Sequence, residues 1–159
     1  MAGEIEVLIA EWERAKAGTL DFISAAPDAL LGFKAAPDVF SFAEQFIHIG
    51  WANYAFVSAI SGKANPYDKA SGKDPMTDES LKASKAALAE FAGGSYDFAI
   101  DAIRALSPGD LSEAVRFHKW DLTRGAILSK ALEHHAHHRG QTAVYFRLSG
   151  LKPPSERLF

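Results

Sequence analysis

Four of the chain's six histidines fall inside the string Glu133-His134-His135-Ala136-His137-His138-Arg139-Gly140-Gln141. Wound as a helix at about 100° per residue, His138 lies about 40° from His134, with Gln141 and Tyr145 within about 20° of it. Two imidazoles one turn apart can ligate one ion, because side chains at i and i+4 stand one above the other. His137 falls at the edge of that face, while His135 and Arg139 fall on another flank. Ile127 and Ala131 share the face of His134 and His138, which turns it inward. A metal site needs at least one more ligand, and His48 is the best candidate. Its stripe is Glu44, His48, Ala52, Ala55 and Ala59, one imidazole among small residues that leave a hollow. Read alone, His48 is a hydrogen-bonded core residue, and the histidine string is a surface tract. Read together, His48, His134 and His138 make a three-nitrogen site with positions open to water or substrate, the pattern of a catalytic metal.

The remaining composition narrows the chemistry. The 159 residues contain no Cys, which removes disulfides, thiolate ligands, Fe–S clusters and a cysteine nucleophile. No HExxH is present, and no paired ExxH motifs of the di-iron carboxylate bundles. A net charge of −3 carries no electrostatic footprint for nucleic acid. The start, Met1-Ala-Gly-Glu-Ile-Glu, has acids where a signal peptide has bases, and no apolar run approaches the ~18 residues of a membrane span. The expectation is a cytoplasmic protein of one domain over 1–159.

Helices are needed to position these histidines. Ile5, Leu8, Ile9, Trp12, Thr19, Phe22 and Ile23 recur at three-and-four spacing, predicting an amphipathic helix over 3–25 with a weak point at Gly18. A connection with a short helical turn follows through 26–40. Ser41-Phe42-Ala43-Glu44 has the form of a capping box and opens a helix over 42–61 that stops at Gly62. Residues 62–76 read as a long surface loop. Thr77-Asp78-Glu79 opens a third helix to about 106, bent or broken at Gly93-Gly94. Ala114 to Trp120 alternates as an extended stretch without an evident partner. Asp121 or Thr123 caps a last helix through 148, closed by Gly150 with Pro153-Pro154 beyond. The expectation is all-α: a four-helix bundle, up-and-down or with a longer crossover, carrying one short extended segment.

The string His134-xxx-His138-Arg139-Gly140-Gln141, with Tyr145, Arg147, Gly150 and Pro153-Pro154 after it, resembles the C-terminal signature of the DinB/YfiT-like superfamily. Phe40-Ser41-xx-Glu44-xxx-His48 resembles that superfamily's second-helix motif, and the likeness runs essentially the whole chain. The resemblance implies an up-down-down-up bundle, a homodimer, and a divalent ion, zinc or nickel, held by His48, His134 and His138. It also implies activation of a low-molecular-weight thiol for transfer or isomerisation.

The other residues of the signature keep alternatives open. Gln141 either bonds a ligand imidazole, with His137 beside it, or joins two helices. Arg139 points away from the ligands as an ion-pair or carbonyl partner. Gly140, which costs about 1 kcal/mol mid-helix relative to Ala, implies close approach of another helix. Trp12, Trp51 and Tyr54 line a substrate mouth or pack in the core. Glu44 either completes the capping box or, with Tyr145, is a candidate proton carrier. Two functions follow. One is a metal-dependent enzyme, of thiol transferase or hydrolase type, acting on a small molecule. The other is a non-catalytic, stress-related protein that holds a metal or small ligand.

Overall fold

The computed structural model describes residues 3–68 and 70–158. Its long helices are α1 (Glu4–Ala25), α2 (Phe42–Ser61), α4 (Lys85–Arg104) and α5 (Arg124–Leu148). A short α3 (Glu79–Ala83) precedes α4, and a hairpin of β1 (Ala114–Phe117) and β2 (Trp120–Thr123) precedes α5. Side-chain pairs set the directions. Lys16 meets Asp97 and Thr19 meets Tyr96, so α1 and α4 are antiparallel. Asn53 meets Ser95, with Gly50 against Phe91, so α2 runs parallel to α4. Gln45 meets His138 and Asn53 meets His135, so α5 opposes α2. The order is up-down-down-up, with a core of Trp12, Phe42, Phe46, Leu88, Tyr96, Ile127 and Phe146. No helix among the described residues is long and apolar enough to cross a membrane.

Local chemistry explains the boundaries. Glu4 and Glu6 place negative charge at the positive end of α1, and Ala26 leaves the helix before Pro27. Both hydrogen bonds of the capping box form: Glu44 N–H donates to Ser41 Oγ at 3.3 Å, and Ser41 N–H to Glu44 Oε2 at 2.7 Å. Gly62 ends α2 at φ 70°, where a side chain would be strained. At the far end Leu151 N–H returns to Phe146 O at 2.9 Å with Gly150 at φ 74°, closing α5.

The third predicted helix differs most. Thr77 lies in a short 3-10 turn, and Asp78 caps α3 instead. The chain then leaves helical geometry at Ser84 (φ −122°, ψ 115°), whose hydroxyl accepts from Ala87 N–H and caps α4. Gly93 and Gly94 stay inside α4 without a break. Gly93 instead faces α1, where an added Cβ would rest 3.7 Å from Lys16 Cε. The extended stretch finds its partner in the residues immediately after it. Phe117 pairs with Trp120 across a two-residue turn, and Asp121, offered above as a cap, pairs with Arg116 at 2.7 Å. Thr123 caps α5.

Candidate metal centre

The α2–α5 seam brings His48, His134 and His138 together, each offering one ring nitrogen, all within 4.8 Å of one another. His134 Nε2 lies 3.1 Å from His48 Nε2 and 3.1 Å from His138 Nε2. With metal–nitrogen bonds of about 2.0–2.1 Å, nitrogens subtending 90–110° at an ion sit about 2.8–3.4 Å apart. These three could hold a metal ion.

Proton placement strengthens the fit. Tyr145 O–H donates to the backbone carbonyl of Phe40 at 2.8 Å, so its oxygen accepts from Gln45 Nε2 at 3.1 Å. The same amide nitrogen donates to Gln141 Oε1 at 2.8 Å. Gln45 Oε1 therefore faces His138 Nδ1 at 2.6 Å and must accept from it. His138 carries its proton on Nδ1, and its Nε2 is a bare lone pair. The contact from His134 Nε2 to that lone pair is a hydrogen bond only if His134 Nε2 is protonated. A protonated Nε2 has no lone pair left to accept from His48. The single proton that nitrogen can carry cannot make two full two-centre hydrogen bonds, whereas a cation among three lone pairs satisfies all of them.

Electrostatics keep the ligands neutral. Burial, with the charges His48 and His137 would carry, pushes His134 down to about 4. Burial and the neighbouring imidazoles of His134, His48 and His137 push His138 down to about 3. Burial also lowers His48. At neutral pH each of these imidazoles is neutral and has one lone pair to offer.

Beside the triad, a cavity of about 440 Å³ opens between α2, the 62–76 loop and the hairpin tip. His48, Ala52, Ala55 and His134 form its floor, and Trp51, Phe56, Tyr67 and Phe117 form its walls. The hollow expected from the small residues of α2 is present. Trp51 Nε1 donates to Tyr67 O at 3.0 Å, tying the loop to the helix. Of the aromatics left open between mouth and core, Trp51 lines this cavity. Trp12 is fully buried against Tyr96 and His135, and Tyr54 packs on Tyr67, Phe91 and Phe98.

Other residues take roles different from those expected. Gln141 does not touch a ligand imidazole: it accepts from Gln45 and donates to the exposed His137 at 2.8 Å. Gln45, which the sequence reading passed over, is the residue that fixes His138. Glu44 is engaged by Ser41 and by Lys34 at 3.3 Å and Lys82 at 3.7 Å. Burial alone would raise its pKa, but the Ser41 N–H and the Lys34 ammonium hold it below the ordinary value. Tyr145 is buried with its proton given to Phe40 O. His135, on the other flank, is fully buried and bonded to Asn53 Oδ1. Arg139 lies against Gly18 of α1, its Nη1 buried without a hydrogen-bond partner. Gly140 has nothing within 4 Å of an added Cβ. The close helix approach expected there is absent; Gly140 borders an open groove of about 810 Å³ that contains none of the triad.

An up-down-down-up bundle with converging imidazoles on its second and last long helices defines a class of histidine-site four-helix proteins. The sequence profile of the DinB superfamily matches residues 11–142, and the chain belongs to that superfamily. No curated protein matches it. Among solved structures it is similar to a DinB-like protein from Bacillus cereus ATCC 10987, with TM-score 0.79, 20% identity, and 94% of this chain and 95% of that one covered. A DinB-like protein from Bacillus subtilis gives TM-score 0.71 at 19% identity, covering 95% and 97%. A conserved protein from Enterococcus faecalis gives 0.74 at 17%, covering 93% and 98%. At these identities the likeness is one of fold.

Proposed function

We propose that this chain is a divalent-metal-dependent enzyme that activates a low-molecular-weight thiol or water, in a transferase or hydrolase reaction on a small molecule. The observation that carries the reading is the convergence of three imidazole nitrogens, two of whose contacts share one nitrogen that has at most one proton to give. Imidazole donors suit zinc or nickel. A divalent ion held by three neutral imidazoles keeps its charge and lowers the pKa of a water or thiol ligand by several units. Gln45 holds the His138 proton on Nδ1, away from the ion, and Trp51, Phe56 and Phe117 shield the approach from bulk water. With no Cys in the chain, a reacting thiol arrives as a substrate. The same reading makes the protein a cytoplasmic homodimer that acts without nucleic acid or membrane.

One observation favours a second reading. Glu44 and Tyr145, the expected proton carriers, are both engaged in structural hydrogen bonds. A non-catalytic, stress-related protein that holds a metal or small ligand needs neither. Metal analysis of untagged protein tests the shared premise. Stoichiometric metal is expected in wild type and in His137→Ala, whose imidazole is exposed, and is lost in His48→Ala; unchanged content in His48→Ala refutes the site. His135→Ala is no control, since removing a fully buried, hydrogen-bonded ring costs about 2–5 kcal/mol of stability. Conjugation of an electrophile by metal-loaded protein with common thiols, or hydrolysis of model esters, then separates enzyme from binding protein.

A further inference from the structure

A second cavity lies behind the first. It measures about 370 Å³ and is lined by Phe56, Phe117, Trp120, Leu122, Ile127 and Lys130. Phe56 and Phe117 also line the cavity over the triad, so the two spaces share a wall. That wall is a stack of the two rings, centroids 4.8 Å apart and 24° from parallel, joining α2 to the hairpin. Phe56 is also 6.0 Å, centroid to centroid, from the His134 ring.

The two spaces differ in chemistry. The first ends on imidazoles and carries Asn65, Asp68 and His118 at its margin. The second is apolar except for Lys130, whose aliphatic stem can lie along such a surface. Trp120 is 54% exposed there, a large aromatic that the core does not bury. The hairpin that carries Phe117 and Trp120 is a two-stranded sheet of four-residue strands, which has little stability of its own. Its turn residue His118 sits at φ 53°, in the left-handed region that histidine, like Asn and Asp, enters more readily than most side chains. The Phe56–Phe117 stack is the contact that a ligand spanning both cavities has to part.

We propose that the two cavities form one bipartite pocket whose ligand is a small molecule with a polar, metal-chelating head and an apolar chain or ring. The head meets the triad, and the apolar part passes Phe56 and Phe117 to lie against Trp120, Leu122 and Ile127. This deepens the functional reading and rests on the metal site. The size of the second space suits a side group of a small ligand rather than a protein helix.

Alkyl hydroxamates share one chelating head and differ only in tail, so they serve as probes. Nickel-loaded protein is titrated calorimetrically with acetohydroxamate, hexanohydroxamate and octanohydroxamate. Each fully buried methylene is worth about fourfold in affinity, so octanohydroxamate is expected to bind at least about tenfold tighter than acetohydroxamate. Trp120→Ala, at an exposed position that folding tolerates, is expected to reduce that ratio at least about threefold. Equal affinities along the series, or an unchanged ratio in Trp120→Ala, overturn the bipartite pocket while leaving the metal site standing. Failure of nickel to bind overturns the metal reading, and the bipartite pocket with it; nickel bound without affinity for any of the hydroxamates overturns the pocket alone.

Discussion

Replacing Gln45 by Leu removes the acceptor that holds the His138 proton on Nδ1. The side chain is 1% exposed and makes hydrogen bonds of 2.6, 2.8 and 3.1 Å to His138, Gln141 and Tyr145. Without it, the His138 ring is free to turn or change tautomer, and its Nε2 lone pair is no longer guaranteed. Partners that orient a ligating imidazole are worth about 10–100-fold in metal affinity, or about 1.4–2.7 kcal/mol. Leu also leaves His138 Nδ1–H, Gln141 Oε1 and the lone pair of Tyr145 Oη facing an apolar side chain, which costs the metal-free protein about 1–3 kcal/mol. The two effects separate in a double difference. At fixed excess metal, the stabilisation gained on loading falls by the same about 1.4–2.7 kcal/mol, whatever happens to the metal-free form. For a chain of 159 residues that is about 3–10 °C less metal-induced rise in Tm. The assay is thermal unfolding with and without metal, paired with competition against a chromophoric chelator. Gln45→Glu keeps an acceptor for His138 and is expected to stay within about tenfold of wild type. Equal losses in Leu and Glu, or no loss in Leu, would refute the proton-placement argument.

Further outcomes follow from the histidines' burial and from the helix glycines. The four histidines His48, His134, His135 and His138 all have pKa values below the unfolded-state value near 6.5, through burial in every case and, for all but His48, through neighbouring charges as well. Below that value the unfolded chain binds protons that the native metal-free protein refuses, so stability falls as pH drops from about 6.5 toward about 4. Because His134 and His138 are neutral in the native protein down to about 4 and about 3, metal affinity is expected to hold between pH 7.5 and 6. A tenfold loss over that interval, read by chelator competition, contradicts the assignment. The helix glycines give an opposed pair. Gly140→Ala is expected to stabilise by about 0.5–1 kcal/mol, because nothing stands within 4 Å of the new methyl. Gly50→Ala is expected to destabilise by about 1–2 kcal/mol net of helix propensity, because its Cβ would lie 2.6 Å from Phe91 Cε1. Chemical denaturation checks both, and the same sign in both defeats the packing argument.

What could be read from the sequence was whatever depends on neighbours along the chain. The Ser41–Glu44 capping box, the stop at Gly62 and the Thr123 cap are short-range chemistry, and each stands where its residues place it. The i,i+4 pair His134 and His138 follows from helix geometry, and His48 from the hollow that small residues make around it. Gln45 could not be found this way. It is a polar residue inside an apolar run, and its task depends on Tyr145 and Gln141, about a hundred positions away. Ser84 hid the start of α4 for a related reason, since a lone serine in a helical pattern gives no sign that its hydroxyl will cap.

A helical wheel puts His135 on a flank away from His134 and His138 without showing that this flank too is covered. The structure makes its setting a counterpart of His138. Ser95 O–H donates to Ala92 O at 2.7 Å, so its oxygen accepts from Asn53 Nδ2 at 3.1 Å, which turns Asn53 Oδ1 toward His135 Nε2. In both cases a hydroxyl committed to a backbone carbonyl orients an amide of α2, and the amide dictates which nitrogen of an α5 imidazole bears the proton. For His138 the proton goes to Nδ1, and Nε2 is left for the metal. For His135 it goes to Nε2, and the bare Nδ1 is sealed in the core without a hydrogen-bond partner. Neighbouring histidines of one helix thus receive opposite tautomers, and the amide each one meets decides whether its Nε2 is free to hold a metal ion or is spent pinning two helices.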